Sequence, residues 1–141
     1  MTDRRRRRPV VAVSLGDPGG IGPEVALKAV ADDTLRRRAR LLLVGSAAVL
    51  RRHAEALGRA LPPLAVARQA PPLDGETAFA EDDSENGSTG GPLHVLDVAE
   101  DGAPSFSFGD VSAAGGRLSM RAVERAVDLC RTGVADAMTT A

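Results

Sequence analysis

The stretch "VVAVSLGDPGGIGPEVALKAV", Val10 to Val30, decides the fold. Val10 to Leu15 is a short, Val-dominated run of the kind that forms a strand covered on both faces. A helix then starts near Ile21-Gly22-Pro23. Proline suits a first turn because its missing N–H has no helical partner there, and Glu24 suits the positive end of the helix dipole. Val25, Leu27, Ala29 and Val30 supply the apolar side of this helix. Between strand and helix lies Gly16-Asp17-Pro18-Gly19-Gly20. Such a turn has little side-chain bulk and leads into a helix N-terminus with free N–H groups. It is readable as a ligand loop with Asp17 at its mouth, or simply as a tight crossover.

The same alternation continues along the chain. Leu41 to Val44 reads as a second strand, ended by Gly45. Ser46 can cap a helix over Ala47 to Leu57, with Val49, Leu50, Ala54 and Leu57 along one face. Leu64 to Ala67 and Leu93 to Val98 read as further strands. From Ala113 to Thr132 a broad stripe of Leu118, Ala122, Val123, Ala126, Val127, Leu129 and Cys130 predicts the longest helix, terminated by Gly133. Ala135 to Ala141 then enters the sheet. Strands alternating with helices imply an α/β fold with a mostly parallel, doubly wound sheet. Ligands of such sheets bind at the carboxyl edge of the strands. The chain stops there, at Ala141, so the sequence reads as truncated.

Composition narrows the function. The 141 residues carry a net charge of −1, balanced enough for a folded, water-soluble chain. No apolar run approaches the ~20 residues that cross a bilayer. The apolar run after Arg4 to Arg8 ends at Leu15 without a cleavage pattern, so a cytoplasmic protein is expected. The arginines could suggest nucleic acid, but the chain lacks Trp and Tyr for base stacking. Residues 1–9 are therefore expected to be a solvated arm, and no nucleic-acid or membrane partner is expected. Residues 10–141 form the folded unit. Pro71 to Asp110 holds ten carboxylates and no lysine or arginine, and residues 74–92 are expected to be a flexible acidic loop. Cys130 is the only cysteine, which excludes an internal disulfide. It reads as a small core residue, as do Met120 and Met138. His53 is expected on an exposed helix face and His94 at a strand edge, neither as a metal ligand.

The glycine run fits neither known phosphate loop. The Rossmann fingerprint G-x-G-x-x-G is broken by Pro18, and a Walker A loop would need Lys-Ser/Thr where Pro23-Glu24 stands. Instead, "GDPGGIGPEVALKA", Gly16 to Ala29, resembles the N-terminal signature of the 4-hydroxythreonine-4-phosphate dehydrogenase family. A second segment, "FGDVSAAGGRLSMRAVERAVDLCRTGVADAMTTA", Phe108 to Ala141, resembles that family's G-x-x-S-x-x-x-G, long helix and Thr-rich strand end.

The resemblance implies an isocitrate/isopropylmalate dehydrogenase-like fold and members about twice this length. It implies NAD(P)-dependent oxidation of a secondary alcohol in 4-phosphohydroxy-L-threonine, with decarboxylation to 3-amino-2-oxopropyl phosphate on the way to pyridoxal phosphate. A divalent metal (Zn, Mg or Co) would polarise the oxygen, and homodimers would form. On this reading the metal ligands and catalytic groups lie outside this chain, which alone would be inactive. Gly16, Asp17, Pro18, Gly19 and Gly20 would lie on the cofactor side of the cleft. Thr139 and Thr140 are candidates to meet substrate, or are ordinary strand residues. Two rivals stand beside this reading: a relative acting on 4-phosphorylated threonate or erythronate, and a noncatalytic nucleotide- or phosphate-binding remnant.

Overall fold

A computed structural model describes residues 8–69, 91–100, 102 and 104–141. Most of the expected acidic loop, residues 74–90, and most of the arginine arm lie outside the described residues. The elements in chain order are β1 (Val10–Ser14), α1 (Gly22–Val30), α2 (Asp33–Arg38), β2 (Arg40–Gly45), α3 (Ala47–Ala56), β3 (Leu64–Ala67), β4 (Leu93–Asp97), α4 (Ala113–Arg131) and β5 (Ala137–Thr140). The five strands form one sheet in the order β3-β4-β2-β1-β5, and every pairing is parallel.

Alternate residues of the central strands build two cores. Val13, Leu15, Leu43, Leu93 and Val95 meet Ala26, Leu27 and Val30 of α1 and Leu50 and Ala54 of α3. Val10, Ala12, Leu42, Val44 and Leu96 meet Ala122, Ala126 and Leu129 of α4. The near-continuous apolar runs follow from this double coverage, and the sheet is doubly wound as expected. Leu50 is fully buried, and burying such a side chain is worth about 1.5–3 kcal/mol. The small Ala122 and Ala126 let α4 lie close to the sheet.

Three expectations need correction. Met120 is 57% exposed, on the outer side of α4, while Met138 does pack against the second core. Val25 is also exposed, because the α1 face turned to the sheet carries Ala26, Leu27 and Val30 instead. Helix α2 has no buried residue and so no apolar period to betray it. Its signals are a cap and a charge bias: Asp32 Oδ1 accepts from Thr34 N at 2.7 Å, and Arg36, Arg37 and Arg38 fill its last turn.

Candidate functional site

All five strands point their carboxyl ends to one edge, and the loops leaving β1, β2 and β4 meet there. The connection after β2 enters α3 on one face, whereas that after β4 enters α4 on the other. This divergence is the topological switch point that opens a crevice in doubly wound sheets. Asp97 ends β4 at this edge. Its carboxylate accepts from Ala47 N at 3.1 Å and Ala99 N at 2.9 Å, tying β4 to the start of α3.

The glycine loop is packed into this edge. Gly16 has φ of +73°, a conformation L side chains rarely adopt, and it turns the chain away from β1. Gly19 N donates to Asp17 Oδ1 at 2.8 Å, and Gly20 N donates to the Asp17 carbonyl at 3.0 Å. Gly109 N donates to the Gly19 carbonyl at 2.7 Å. A Cβ on Gly19 would stand 2.4 Å from the Asp110 carbonyl oxygen and 2.7 Å from that of Ser107. Gly19 is thus demanded by another stretch of backbone, whatever ligand the loop serves. Asp17 also has a structural task. Its carboxylate oxygens lie 3.0 and 3.2 Å from the position a Cβ on Gly115 would take, in the first turn of α4. A negative charge there complements the helix dipole.

The histidines depart from expectation. His53 is only 4% exposed, and its Nε2 lies 2.7 Å from the Pro18 carbonyl oxygen. Its ring stacks on Phe106 at 5.8 Å and meets Phe108 edge-on at 4.9 Å. The helical period does not place it outward because the 104–112 segment folds back over that side of α3. His94 lies inside the sheet on β4, opposite Leu42 and Ala65, at the amino end of the strands. It borders a small cavity of about 40 Å³ with Arg8, Arg36 and Arg40. The two histidines therefore serve different edges. Among the described residues no three His, Cys, Asp or Glu side chains gather to hold a metal ion. Cys130 is half-buried against the α4 core.

A cleft of about 480 Å³ opens at the glycine loop, within the range of small-molecule sites. Its walls are Asp17, Gly19, Gly20, Ile21 and Glu24 on one side, His53, Ala56 and Leu57 below, and Phe108 to Val111 opposite. Ile21 and Val111 are 75% and 91% exposed, and Phe108 is 49% exposed, so its apolar rim is open. Asp17, Glu24 and Asp110 contribute carboxylates, and no lysine or arginine is among the lining residues. Lys28 holds Glu24 at 2.6 Å, and this hydrogen bond, with the ammonium's charge, keeps the Glu24 carboxyl below its ordinary range. Such walls suit a flat ring better than a pyrophosphate.

Of the residues expected at the site, Asp17, Gly19 and Gly20 line this cleft. Gly16 and Pro18 do not line it, though the Pro18 carbonyl meets His53, which does. Thr139 and Thr140 are exposed at the end of β5, in register with Val13 and Ser14 but outside the cleft lining. His53 and Phe108 are the lining residues that sequence reasoning missed, and Asp97 is the missed residue that ties β4 to α3 beside them. For Asp97 a signal existed in a carboxylate at a strand's carboxyl end, directly before the crossover.

Residues 37–141 match the family model of "Pyridoxal phosphate biosynthetic protein PdxA". The chain belongs to the PdxA family. Matches to individual relatives also take in the glycine loop, which precedes that range. The D-threonate 4-phosphate dehydrogenase of Bordetella bronchiseptica is 40% identical over 139 residues, 96% of this chain and 35% of that protein. The 4-hydroxythreonine-4-phosphate dehydrogenase of Geobacter metallireducens is 31% identical over 134 residues, 95% of this chain and 35% of that protein. The crystal structure of a 4-hydroxythreonine-4-phosphate dehydrogenase from Burkholderia phymatum superposes with a TM-score of 0.76 at 26% identity, covering 96% of this chain and 36% of that one. The α/β fold and the dehydrogenase family are thereby shown. The chain spans about 35% of the length of these relatives, less than the half that the sequence resemblance implied. Among the described residues no helix is long and apolar enough to cross a membrane.

Proposed function

We propose that this chain forms the glycine-loop side of a NAD(P)-dependent dehydrogenase acting on a 4-phosphorylated hydroxy acid. The observation that carries the reading is the open cleft at the carboxyl edge of a parallel sheet, walled by Asp17, Gly19 and Gly20, in a chain of PdxA-family sequence. A nicotinamide ring would lie against Gly19, Gly20 and Phe108, and when bound it supplies the hydride acceptor. The three carboxylates of the cleft favour the oxidised, cationic form of such a ring and turn the cofactor's phosphates outward. Gly20, exposed and without a side chain, leaves room for close approach. Thr139 and Thr140, at the end of the neighbouring strand β5, would hydrogen-bond a polar substrate that reaches beyond the cleft lining.

The substrate proposed is 4-phosphohydroxy-L-threonine. Its carbinol C–H bond breaks with hydride leaving carbon, its hydroxyl proton is released, and the resulting β-keto acid loses carbon dioxide to give 3-amino-2-oxopropyl phosphate. A divalent metal (Zn, Mg or Co) that steadies the developing negative oxygen belongs to residues other than the described ones. The proposal extends to a cytoplasmic homodimer. The second reading, D-threonate 4-phosphate, is favoured by one observation: the 40% identical relative carries that name.

The test is NAD(P)H production by the protein from its native source, with each substrate and each metal. Turnover of 4-phosphohydroxy-L-threonine alone supports the first reading, and turnover of D-threonate 4-phosphate alone supports the second. Absence of turnover with saturable NAD⁺ binding, lost on Gly20→Val at the exposed position of the loop, would leave a nucleotide-binding module.

A further inference from the structure

The ring of His53 joins the three segments that wall the cleft. It is carried by α3, its Nε2 faces the Pro18 carbonyl of the glycine loop at 2.7 Å, and its faces and edges meet Phe106 and Phe108. Arg52, one residue earlier, closes the same assembly. Its guanidinium lies 4.2 Å from the Phe106 ring centre, and its Nη1 donates to the Phe106 carbonyl at 2.6 Å. A carbonyl oxygen can only accept, so the 2.7 Å contact requires hydrogen on His53 Nε2. Burial removes water as an alternative partner for both groups.

We propose that His53 is a positioning residue, an Nε2–H donor that clamps the Pro18 carbonyl and seats Phe108, so that the cleft is formed before a ligand arrives. The clamp explains how a run of glycines, the loosest of backbones, holds one shape at the cleft mouth. Pro18 lends its fixed φ, Asp17 ties Gly19 and Gly20, and His53 fixes the peptide between them. The consequence for cofactor affinity rests on the function proposed above; the clamp itself stands on the geometry.

The full chain, labelled with ¹⁵N-histidine, gives the first readout. A long-range ¹H–¹⁵N spectrum near neutral pH is expected to show His53 protonated at Nε2. A neutral ring protonated only at Nδ1 would overturn the proposal, and this measurement needs no variant to fold. Two variants give the second readout. His53→Leu keeps apolar volume without a donor, and His53→Gln restores an N–H at similar reach. Amide exchange at Gly19, Gly20 and Gly109 is expected to quicken about tenfold or more in His53→Leu and to stay near wild type in His53→Gln. Exchange at Val13 and Leu43, in the core strands, is expected to be unchanged in both. No acceleration in His53→Leu, equal acceleration throughout the core, or failure of His53→Gln to rescue would each reject the clamp. NAD⁺ titration separates the two levels: affinity about tenfold weaker in His53→Leu supports the clamp's role in binding. A wild-type chain that binds no NAD⁺ defeats the cofactor reading while the tautomer and exchange results still judge the clamp.

Discussion

Asp17 shows how one residue of a signature can be committed to structure. Its carboxylate answers Gly19 N and sits against the first turn of α4, so the loop and the helix share one anion. Gly19 is equally committed, through the Ser107 and Asp110 carbonyls. Gly19→Ala is expected to destabilise the chain by about 1–3 kcal/mol, the usual cost of forcing extra volume into a filled space. Urea unfolding checks it, as a lower midpoint at unchanged slope. An unchanged midpoint would mean that the 104–112 segment yields freely. Ser14 offers the opposite case. Its hydroxyl, at the end of β1, is fully buried and has no hydrogen-bond partner among the described residues. A buried polar group left unmatched costs stability. Ser14→Ala is therefore expected to leave stability unchanged or to raise it by up to about 1 kcal/mol. A loss larger than that in the same assay would show that the hydroxyl finds a partner in solution.

Among the elements, α1 carries an ion pair at the wall of the cleft. Glu24 and Lys28 are one turn apart, and their 2.6 Å contact holds the Glu24 carboxyl below its ordinary value. Because the folded value is the lower one, any stability from this pair is present above the unfolded carboxylate range. It fades as pH falls through the folded value. Both side chains meet solvent, so the effect is small and screened by salt. Lys28→Met is expected to return the Glu24 titration, followed by NMR at its side-chain carbon, upward toward the ordinary range. A titration that does not move would assign the shift to other charges. Helix α2 teaches a different lesson at this scale. It is a capped, basic turn of surface helix that no hydrophobic period announces, and only Asp32 and the arginines mark its ends.

At the scale of the whole sheet, β5 is one edge among the described residues, and its Ala137, Thr139 and Thr140 are exposed. An edge strand offers unpaired N–H and C=O groups to other chains. Concentration-dependent association is therefore expected on light scattering, and Thr139→Lys, a charge placed on the edge, is expected to reduce it. Equal association in both proteins would place the contact elsewhere, with the exposed Ile21, Phe108 and Val111 as the next surface to test.

The sequence by itself determined the alternation of strands and helices, the doubly wound parallel sheet and the tight Gly16–Gly20 turn between β1 and α1. These are local properties: apolar period, caps, and the glycines and prolines of turns are written along the chain. The five strand positions and the three longer helices were legible for that reason. Only the tertiary structure decided which side of each element is covered. It turned Val25 and Met120 outward and buried His53, because the segment covering His53 arrives some fifty residues later in the chain. It also decided why Gly19 must be glycine, since the carbonyls that exclude a side chain there belong to Ser107 and Asp110. Contacts between distant segments leave no period in the sequence, and the cleft is made of such contacts.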